Sequence, residues 1–258
     1  MHSESPERVQ TVAVAGNPNS GKTTVFNGLT GSRQRIGNWP GVTVEKKEGV
    51  LDLNCLSEFP AAPFMNQNGP TESVGAVHVV DLPGIYSLSA SSEDEIVARN
   101  FLLNGNADLV VNVVDASNLQ RNLYLTLQLV ELQVPLIVVL NMMDVAEKKG
   151  LEIDADHLSS HLGVPVIPAS ATDRDSIRTV KHRLYETLKN PRVSTARVEY
   201  TEECEAAISA WEQPLSEFSR RLGANPRWSA VKILEQDPYI TEEAVREGVL
   251  PPEDIEER

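Results

Sequence analysis

A glycine-rich segment near the start of the chain could bind phosphate. The run Gly16-Asn-Pro-Asn-Ser-Gly21-Lys22-Thr23 fits the pattern G-x-x-x-x-G-K-[ST]. In this pattern backbone N–H groups turn inward onto phosphate oxygens, the lysine reaches the β- and γ-phosphates, and the threonine hydroxyl binds Mg²⁺. A glycine turn before a helix is the simpler alternative, but an apolar run precedes the segment and a helical stretch follows it. The segment therefore predicts a nucleoside triphosphate site.

Two further segments could supply the metal and the third phosphate with ligands. Asp81-Leu-Pro-Gly84 ends an apolar run, so its carboxylate is expected to meet the same Mg²⁺ and the N–H of Gly84 to meet the γ-phosphate. Thr43 follows the first helix and is predicted to join Mg²⁺ only when a γ-phosphate is present. Each segment alone is typical of a turn. Beside a phosphate loop, they predict a site that distinguishes triphosphate from diphosphate.

Asn141-Met-Met-Asp144 and Ser170-Ala171 also follow apolar runs and could recognise a base. A carboxylate accepts hydrogen bonds from both N1–H and the exocyclic amine of guanine, whereas adenine offers neither donor there. Asp144 therefore predicts GTP over ATP, with a helix N-cap as the alternative role. The order of these motifs, each at the end of an apolar run, favours the nucleotide site.

The predicted site residues come from these segments. Nucleotide-binding residues are Gly16, Asn17, Pro18, Asn19, Ser20, Gly21, Lys22, Thr23, Thr24, Gly41, Val42, Thr43, Asp81, Leu82, Pro83, Gly84, Asn141, Met142, Asp144, Ser170, Ala171 and Thr172. The predicted catalytic residues include Lys22, Thr43 and Gly84, and the predicted Mg²⁺ ligands are Thr23, Thr43 and Asp81.

Short apolar runs alternate with amphipathic stretches over the first two thirds of the chain. The runs predict strands at 11–15, 76–81, 109–115, 134–141 and 164–169, and the stretches between them predict helices at 93–103, 119–132 and 154–162. Ser92 and Glu95 have the spacing of a capping box. Strands that alternate with helices predict an α/β fold with a doubly wound, mostly parallel sheet. Together with the glycine-rich segment, this order resembles the P-loop NTPases with a Ras-like G domain.

The strand signal stops after Ala171, and a small all-helical domain is predicted to follow. Its helices are expected at 176–188, 201–222, 227–236 and 241–248, with Trp211, Phe218 and Trp228 in their core. The predicted domains are 8–175 and 176–258, and the helix 176–189 could belong to either. The segment 51–75 is longer than ordinary connections and is expected to include a mobile loop.

Composition limits the classes of function. The 258 residues carry a net charge of −14, of which −9 falls on residues 199–258, so nucleic acid is not an expected partner. The longest apolar run, 134–140, is far shorter than the ~20 residues that cross a bilayer. The N-terminus lacks the features of a signal peptide, and the two cysteines lack metal-ligand spacing. A reducing, cytosolic setting is expected.

Three long stretches carry a resemblance to a known family. They are GNPNSGKTTVFNGLTGSRQRIGNWPGVTVEKKEG (16–49), VDLPGIYSLSASSEDEIVARNFL (80–102) and VVDASNLQRNLYLTLQLVELQVPLIVVLNMMD (113–144). Within the translation-factor-like GTPases, these stretches resemble the cytosolic N-terminal region of the bacterial ferrous iron transport protein B (FeoB) family. In that family a helical domain resembling a nucleotide-dissociation inhibitor follows the G domain, and a polytopic membrane domain follows that. The sequence printed here therefore looks like the soluble part of such a protein.

The resemblance implies a slow GTP-hydrolysing switch that regulates ferrous iron uptake at the cytoplasmic side of the bacterial inner membrane. Its implied partners are GTP and GDP, a membrane-embedded permease domain of the same protein, a small cytosolic Feo-type protein and further copies of the chain. The implied cofactors are Mg²⁺ and, as an activator, K⁺. The resemblance makes Asn19 a catalytic K⁺ ligand, together with main-chain carbonyls of Gly37 to Trp39. Segments 33–45 and 84–95 are expected to order on the γ-phosphate.

The sequence departs from related patterns at two site positions. Met142 replaces the lysine of the general N-K-x-D pattern, as the FeoB family tolerates. Ile85 stands where Ras-like enzymes place the glutamine that orients the attacking water. Slow turnover is therefore expected.

Other interpretations stay open from the sequence. A GTPase of RNA modification or ribosome assembly would share these motifs, although its tail is expected to be basic. A regulatory module that scarcely hydrolyses GTP and an ATP-using enzyme are further alternatives. His157 and His161 are four residues apart on a predicted helix. This spacing can hold a metal but also suits an exposed helix face without a ligand.

Overall fold

The computed structural model describes residues 9–31, 33–53, 75–89 and 91–251. Within them the strands are β1 Thr11–Gly16, β2 Gln34–Asn38, β3 Glu45–Asp52, β4 Ala76–Asp81, β5 Leu109–Asp115, β6 Leu136–Asn141 and β7 Val166–Pro168. The helices are α1 Lys22–Thr30, α2 Glu93–Leu103, α3 Leu119–Leu132, α4 Met143–Lys148, α5 Ala155–Leu162, α6 Arg174–Lys189, α7 Glu202–Glu212, α8 Ser216–Leu222, α9 Pro226–Leu234 and α10 Pro238–Arg246. Across these ranges every helix is too short or too polar to cross a bilayer.

The seven strands form one mixed sheet in the order β2-β3-β4-β1-β5-β6-β7. β1 pairs in parallel with β4 and β5, and β5, β6 and β7 continue the parallel array. β2 and β3 form an antiparallel hairpin that joins the sheet through β4. The predicted mostly parallel α/β sheet is therefore confirmed. Its parallel strands end at a common edge, where loops that bind ligands lie in folds of this class.

The structure corrects several predicted elements. β2 and β3 were not predicted, because their sequences QRIGN and EKKEGVLD lack the apolar runs that mark the buried strands. The short helix α4 was also missed. The predicted helix at 201–222 is wrong as a single element: it is two helices, α7 and α8, separated by a segment that contains Pro214. Residues 54–74 lie outside the described residues, and with them most of the predicted mobile loop.

The helix α6 packs on the sheet. Its apolar side chains Ile177, Val180, Leu184 and Leu188 are buried, and the last three lie in the same cluster as alternate residues of β1, β4 and β5. This packing explains the strong amphipathic pattern of α6 and favours assigning residues 176–189 to the α/β unit. The other face of the sheet is covered by α2 and α3.

The helices α7 to α10 continue the core of that second face. Trp228, Phe218 and Ile208 are buried in one cluster with side chains of α2 and α3, and Trp211 packs against it, as predicted. At Gly223 the two units approach so closely that a Cβ atom would lie 1.7 Å from the carbonyl oxygen of Leu103. Because φ of Gly223 is also +79°, glycine is required here both by space and by backbone conformation.

A buried ion pair joins α2 to the helical unit. Arg99 of α2 is fully buried, and its Nη1 donates to both carboxylate oxygens of Asp237, at 3.2 and 3.0 Å. The guanidinium carbon also lies 4.6 Å from the ring centre of Tyr239. Burial lowers the pKa of Arg99, and the charge of Asp237 opposes this shift. Asp237 in addition accepts a hydrogen bond from the N–H of Ile240 and so caps α10.

Replacing Asp237 by asparagine is expected to destabilise the protein by about 3–5 kcal/mol, because the buried Arg99 would lose its counter-charge. Asparagine caps helices as well as aspartate does, so the cap itself is kept. Urea unfolding measures the change. Asp173→Asn is the matched control, since Asp173 caps α6 in the same way but is exposed. The control should stay within about 0.5 kcal/mol of the parent protein. Equal losses in the two variants would contradict the role given to the ion pair.

Candidate nucleotide-binding site

The glycine-rich loop connects β1 to α1 in the geometry of a phosphate loop. Gly21 immediately precedes α1 and has φ +84°. A Cβ atom at Gly21 would lie 2.1 Å from Nδ2 of Asn141, so a larger residue would have to displace the Asn141 amide. The first N–H groups of α1 have no acceptor within the helix and face the loop. They therefore form the donor set that a phosphate requires.

Polar atoms inside this loop are left without protein partners. Both amide atoms of Asn17 and the hydroxyl of Ser20 are buried, and none of them has a hydrogen-bond partner among the described residues. Buried polar groups are nearly always paired in folded proteins. The loop is thus shaped around polar groups that fit a polar ligand.

Lys22 and Asp81 form an ion pair at the centre of the site. Lys22 is the first residue of α1 and Asp81 the last of β4, and the Nζ atom of Lys22 donates to Oδ1 of Asp81. Burial raises the pKa of the Asp81 carboxyl, and Lys22 opposes that shift. Thr23, the next residue of α1, is exposed. Hydroxyl and carboxylate oxygens are the ligands that Mg²⁺ prefers, so this donor set fits Mg²⁺.

The backbone of the segment after Asp81 is attached to the end of β1, where the phosphate loop begins. The N–H of Leu82 donates to the carbonyl of Val14 at 3.0 Å, and that of Ile85 donates to the carbonyl of Gly16 at 3.2 Å. A Cβ atom on Gly84 would lie 3.3 Å from Cα of Pro18, so the two loops nearly touch. The Ile85 side chain is buried in the core. A side chain in this position cannot orient water.

Asn141 links the base-recognition loops to the phosphate loop. Its Nδ2 donates to the carbonyl of Ser20 and its Oδ1 accepts from the N–H of Ala171, both at 2.9 Å. Ser170 donates from its hydroxyl to Oδ1 of Asp144, also at 2.9 Å, while the Asp144 side chain stays about half exposed. The carboxylate is therefore oriented by Ser170 and still accessible to a base.

Met142 occupies the position of the absent lysine. It has a left-handed backbone conformation, with φ +61°, immediately before α4. Its methyl carbon lies 3.6 Å from the place that a Cβ atom on Gly21 would take. An apolar stem therefore covers the phosphate loop where related proteins place a lysine stem.

The first of the two predicted switch segments, residues 33–45, lies in the β2–β3 hairpin. The N–H of Trp39 donates to the carbonyl of Val44 at 2.9 Å, and that of Val42 donates to the carbonyl of Trp39 at 3.3 Å. Thr43 is exposed in this turn, and Gly37 pairs with Lys46 across the hairpin. The Trp39 ring is buried edge-on against Phe101 of α2, with 5.5 Å between ring centres.

The remaining predicted residues lie on the same loops. Asn19, at the tip of the phosphate loop, is exposed and has φ +65°. The residues Thr24, Gly41 and Thr172 are exposed. The residues Pro18, Val42, Pro83 and Ala171 are partly buried. Hydrogen bonds or an ion pair thus connect the phosphate loop directly with Asp81, the phosphate loop with Asn141, and the loop of Asn141 and Asp144 with Ser170 and Ala171.

A network around Glu95 was missed by the sequence analysis. Only half of the predicted capping box is present: the Ser92 hydroxyl accepts from the N–H of Glu95 at 3.3 Å. The Glu95 carboxylate accepts instead from the Ser87 hydroxyl at 2.9 Å and from the Ser91 N–H at 3.0 Å. The serine-rich run before α2 was the signal for this network, because serine side chains commonly satisfy local acceptors. The carboxylate ties the segment after Gly84 to the start of α2.

Comparison with known proteins identifies the family. A family model described as "Ferrous iron transport protein B" matches residues 10–61 and 58–184, and one described as "FeoB cytosolic helical domain" matches residues 200–257. The Fe(2+) transporter FeoB of Salmonella typhimurium is 45% identical over 239 residues, and that of Escherichia coli K12 is 45% identical over 233 residues. Each alignment covers 89% of this chain but 27% of the relative, so the chain spans about a quarter of the length of these transporters.

Solved structures agree with this identification. The cytosolic domain of the T. maritima FeoB iron transporter in apo form is 38% identical, with a TM-score of 0.79 over 95% of this chain and 88% of that one. The same domain in a GMPPNP form gives a TM-score of 0.78 at 38% identity, over 95% and 90% of the two chains. The cytosolic domain of L. pneumophila FeoB gives 0.75 at 35% identity, over 93% and 87%.

The matches extend over both the nucleotide-site unit and the helical unit, and the chain therefore belongs to the ferrous iron transport protein B family.

Proposed function

We propose that this chain is the GTP-binding and slowly GTP-hydrolysing switch of a bacterial ferrous iron transporter. One observation carries the proposal: Asn141 bonds the phosphate loop and the Ala171 loop together, beside an accessible Asp144 carboxylate. The phosphate loop and the loop after β7 are thereby held together on the side of the sheet where Asp144 lies. Relatives with the same fold carry GDP or GMPPNP.

Mg²⁺ is the proposed metal of this site. Thr23 and Asp81 would hold it, and Thr43 would join them once the hairpin turn moves toward the phosphates. A bound Mg²⁺ supplies positive charge that offsets the charge of the β- and γ-phosphates. Lys22 would leave Asp81 and bind the phosphate oxygens, while Asp81 would bind the metal. Each of the two charged groups would then again face a group of opposite charge.

The proposed reaction is attack of water on the γ-phosphate, with the chain contributing position and charge. The Gly84 N–H and the phosphate-loop N–H groups would hold the transferred phosphoryl group in line with the water. The buried Ile85 supplies no group to orient that water. An arginine finger is worth roughly 10³–10⁵ in rate in related enzymes. None of the predicted site residues is an arginine, so turnover should be slow.

K⁺ is the proposed substitute for the missing positive charge. Asn19 presents an exposed amide beside the loop, and a carbonyl oxygen there can bind a monovalent cation. Main-chain carbonyls between Gly37 and Trp39 would complete the site, which requires the β2–β3 hairpin to rearrange, since Gly37 is paired in it. Binding of GTP would drive that rearrangement.

The wider setting belongs to the same proposal. A membrane-embedded permease domain of the same protein would receive the signal at the cytoplasmic side of the inner membrane. The helical unit would transmit it, because it contacts α2 directly. A small cytosolic Feo-type protein and further copies of the chain are proposed as partners on the same basis of family membership.

Asp144→Ala should weaken GTP binding at least about a hundredfold, because two hydrogen bonds to guanine are lost while its donors stay desolvated. Competition with fluorescent GTP measures the affinity, and excess ATP should fail to displace the probe from the parent protein. Asp175→Ala is the control, since Asp175 is an exposed acidic residue in the first turn of α6. Equal GTP affinity in the two variants would argue against guanine recognition by Asp144.

GTP hydrolysis should be at least about tenfold faster in K⁺ than in Na⁺, and Asn19→Gly should abolish this difference. Glycine tolerates the left-handed conformation of this position, so only the amide is removed. Gln133→Gly, at another left-handed position remote from the loop, serves as the control. Single-turnover phosphate release is the measurement. A full K⁺ response in Asn19→Gly would disprove the assignment of Asn19. If the parent protein released no phosphate at all, a module that binds GTP without hydrolysing it would be favoured.

A further inference from the structure

Two imidazole rings lie together on the exposed face of α5, and the proposed nucleotide site uses neither of them. His157 and His161 are one helical turn apart, and both are exposed. Their Nε2 atoms are 3.1 Å apart, and the ring centres are separated by 4.5 Å at an interplanar angle of 82°. The Nε2 atoms of the two rings therefore lie side by side at the surface of the helix.

The separation of the two nitrogens matches that of two ligands of one metal ion. Imidazole nitrogens bind Zn²⁺ at about 2.0–2.1 Å, so two of them at octahedral to tetrahedral angles lie roughly 2.8–3.4 Å apart. The observed 3.1 Å falls within this range. An N–H···N hydrogen bond between the rings would have the same length, and a metal would replace its proton.

The helix that carries the pair is fixed at both ends. Oδ1 of Asp154 accepts from the N–H of His157 at 2.8 Å and caps the first turn. At the other end Gly163 is left-handed, and the Ser194 hydroxyl donates to the carbonyl of Leu162 at 2.6 Å. Leu162 is buried in the core cluster and Leu158 packs against it, and this packing opposes rotation of the helix about its axis. A ligand pair on such a helix is preorganised and loses little freedom on binding.

The donor atoms decide the class of ion. Imidazole nitrogen suits Zn²⁺, Cu²⁺, Ni²⁺ and Fe²⁺, whereas Mg²⁺ and Ca²⁺ prefer oxygen. In the described ranges no group of three or more potential metal-ligating side chains is found, so water must complete the coordination. We propose that His157 and His161 form a two-ligand site for a divalent transition-metal ion on the surface of the α/β unit.

Calorimetric titration of the full chain, without an affinity tag, with ZnCl₂ tests the proposal. Saturating Mg²⁺ and GDP are present so that the nucleotide site is filled. The parent protein should bind one Zn²⁺ that the double variant His157→Ala/His161→Ala does not bind. Each single variant should bind it at least about tenfold more weakly, because loss of an outer-shell partner alone already costs that much. Zn²⁺ should also raise the unfolding temperature of the parent but not of the double variant.

His78→Ala is the matched control, because it removes a half-exposed imidazole from β4 and leaves α5 intact. This variant should retain the Zn²⁺ and its thermal effect. The proposal is overturned if the parent and the double variant bind Zn²⁺ identically, if neither binds it, or if His78→Ala loses the same ion. MgCl₂ in place of ZnCl₂ should give no difference between parent and double variant, and a difference of the same size would refute the assigned ion class.

Discussion

The nucleotide site depends on the two hydrogen bonds of the Asn141 side chain. This buried amide donates to the backbone of the phosphate loop and accepts from the backbone after β7, so it fixes the distance between phosphate and base recognition. The contact is possible only because Gly21 has no side chain, since a Cβ atom would collide with Nδ2 of Asn141. The glycine at position 21 therefore has two roles: it allows the left-handed backbone before α1, and it leaves space for the Asn141 side chain.

The helical unit is bound to α2, the helix that follows Asp81 along the chain. Between Asp81 and α2 the chain is held by Glu95, and α2 itself is held by the buried pair of Arg99 and Asp237. At the C-terminal end of α2, Gly223 lies against Leu103 with no space for a side chain. Because packed interfaces resist continuous deformation, α2 cannot shift far without the helical unit shifting with it. Movement of the segment after Gly84 would therefore reach the helical unit through α2.

The strands of the parallel array were predictable because they are buried on both faces and so are continuously apolar. The β2–β3 hairpin could not be predicted in the same way, because most of its residues are polar and at least partly exposed. Apolar and polar residues therefore do not alternate clearly along these two strands. The motif order placed Lys22, Asp81 and Asp144 at one edge of the sheet. It could not reveal that Asn141 bonds to Ser20, since the contact joins residues 121 positions apart and leaves no periodic signal. Arg99 was equally hidden, because arginine on an amphipathic helix usually lies at the surface.

Net charge also acts differently at short and long range in this chain. Residues 1–198 carry −5, yet their site is suited to a ligand with several negative charges. Interactions between exposed charges are largely screened beyond about 8–10 Å at physiological salt. Lys22 and the N–H groups at the start of α1 lie within that distance of a ligand in the phosphate loop and act on it directly. The −9 belongs to residues 199–258, the part of the sequence that contains α7 to α10. A net negative charge there would disfavour anionic lipid headgroups and favour basic protein surfaces. The net acidity of the chain therefore affects which partners the helical unit can bind. The binding of nucleotide depends instead on Lys22 and the N–H groups close to it.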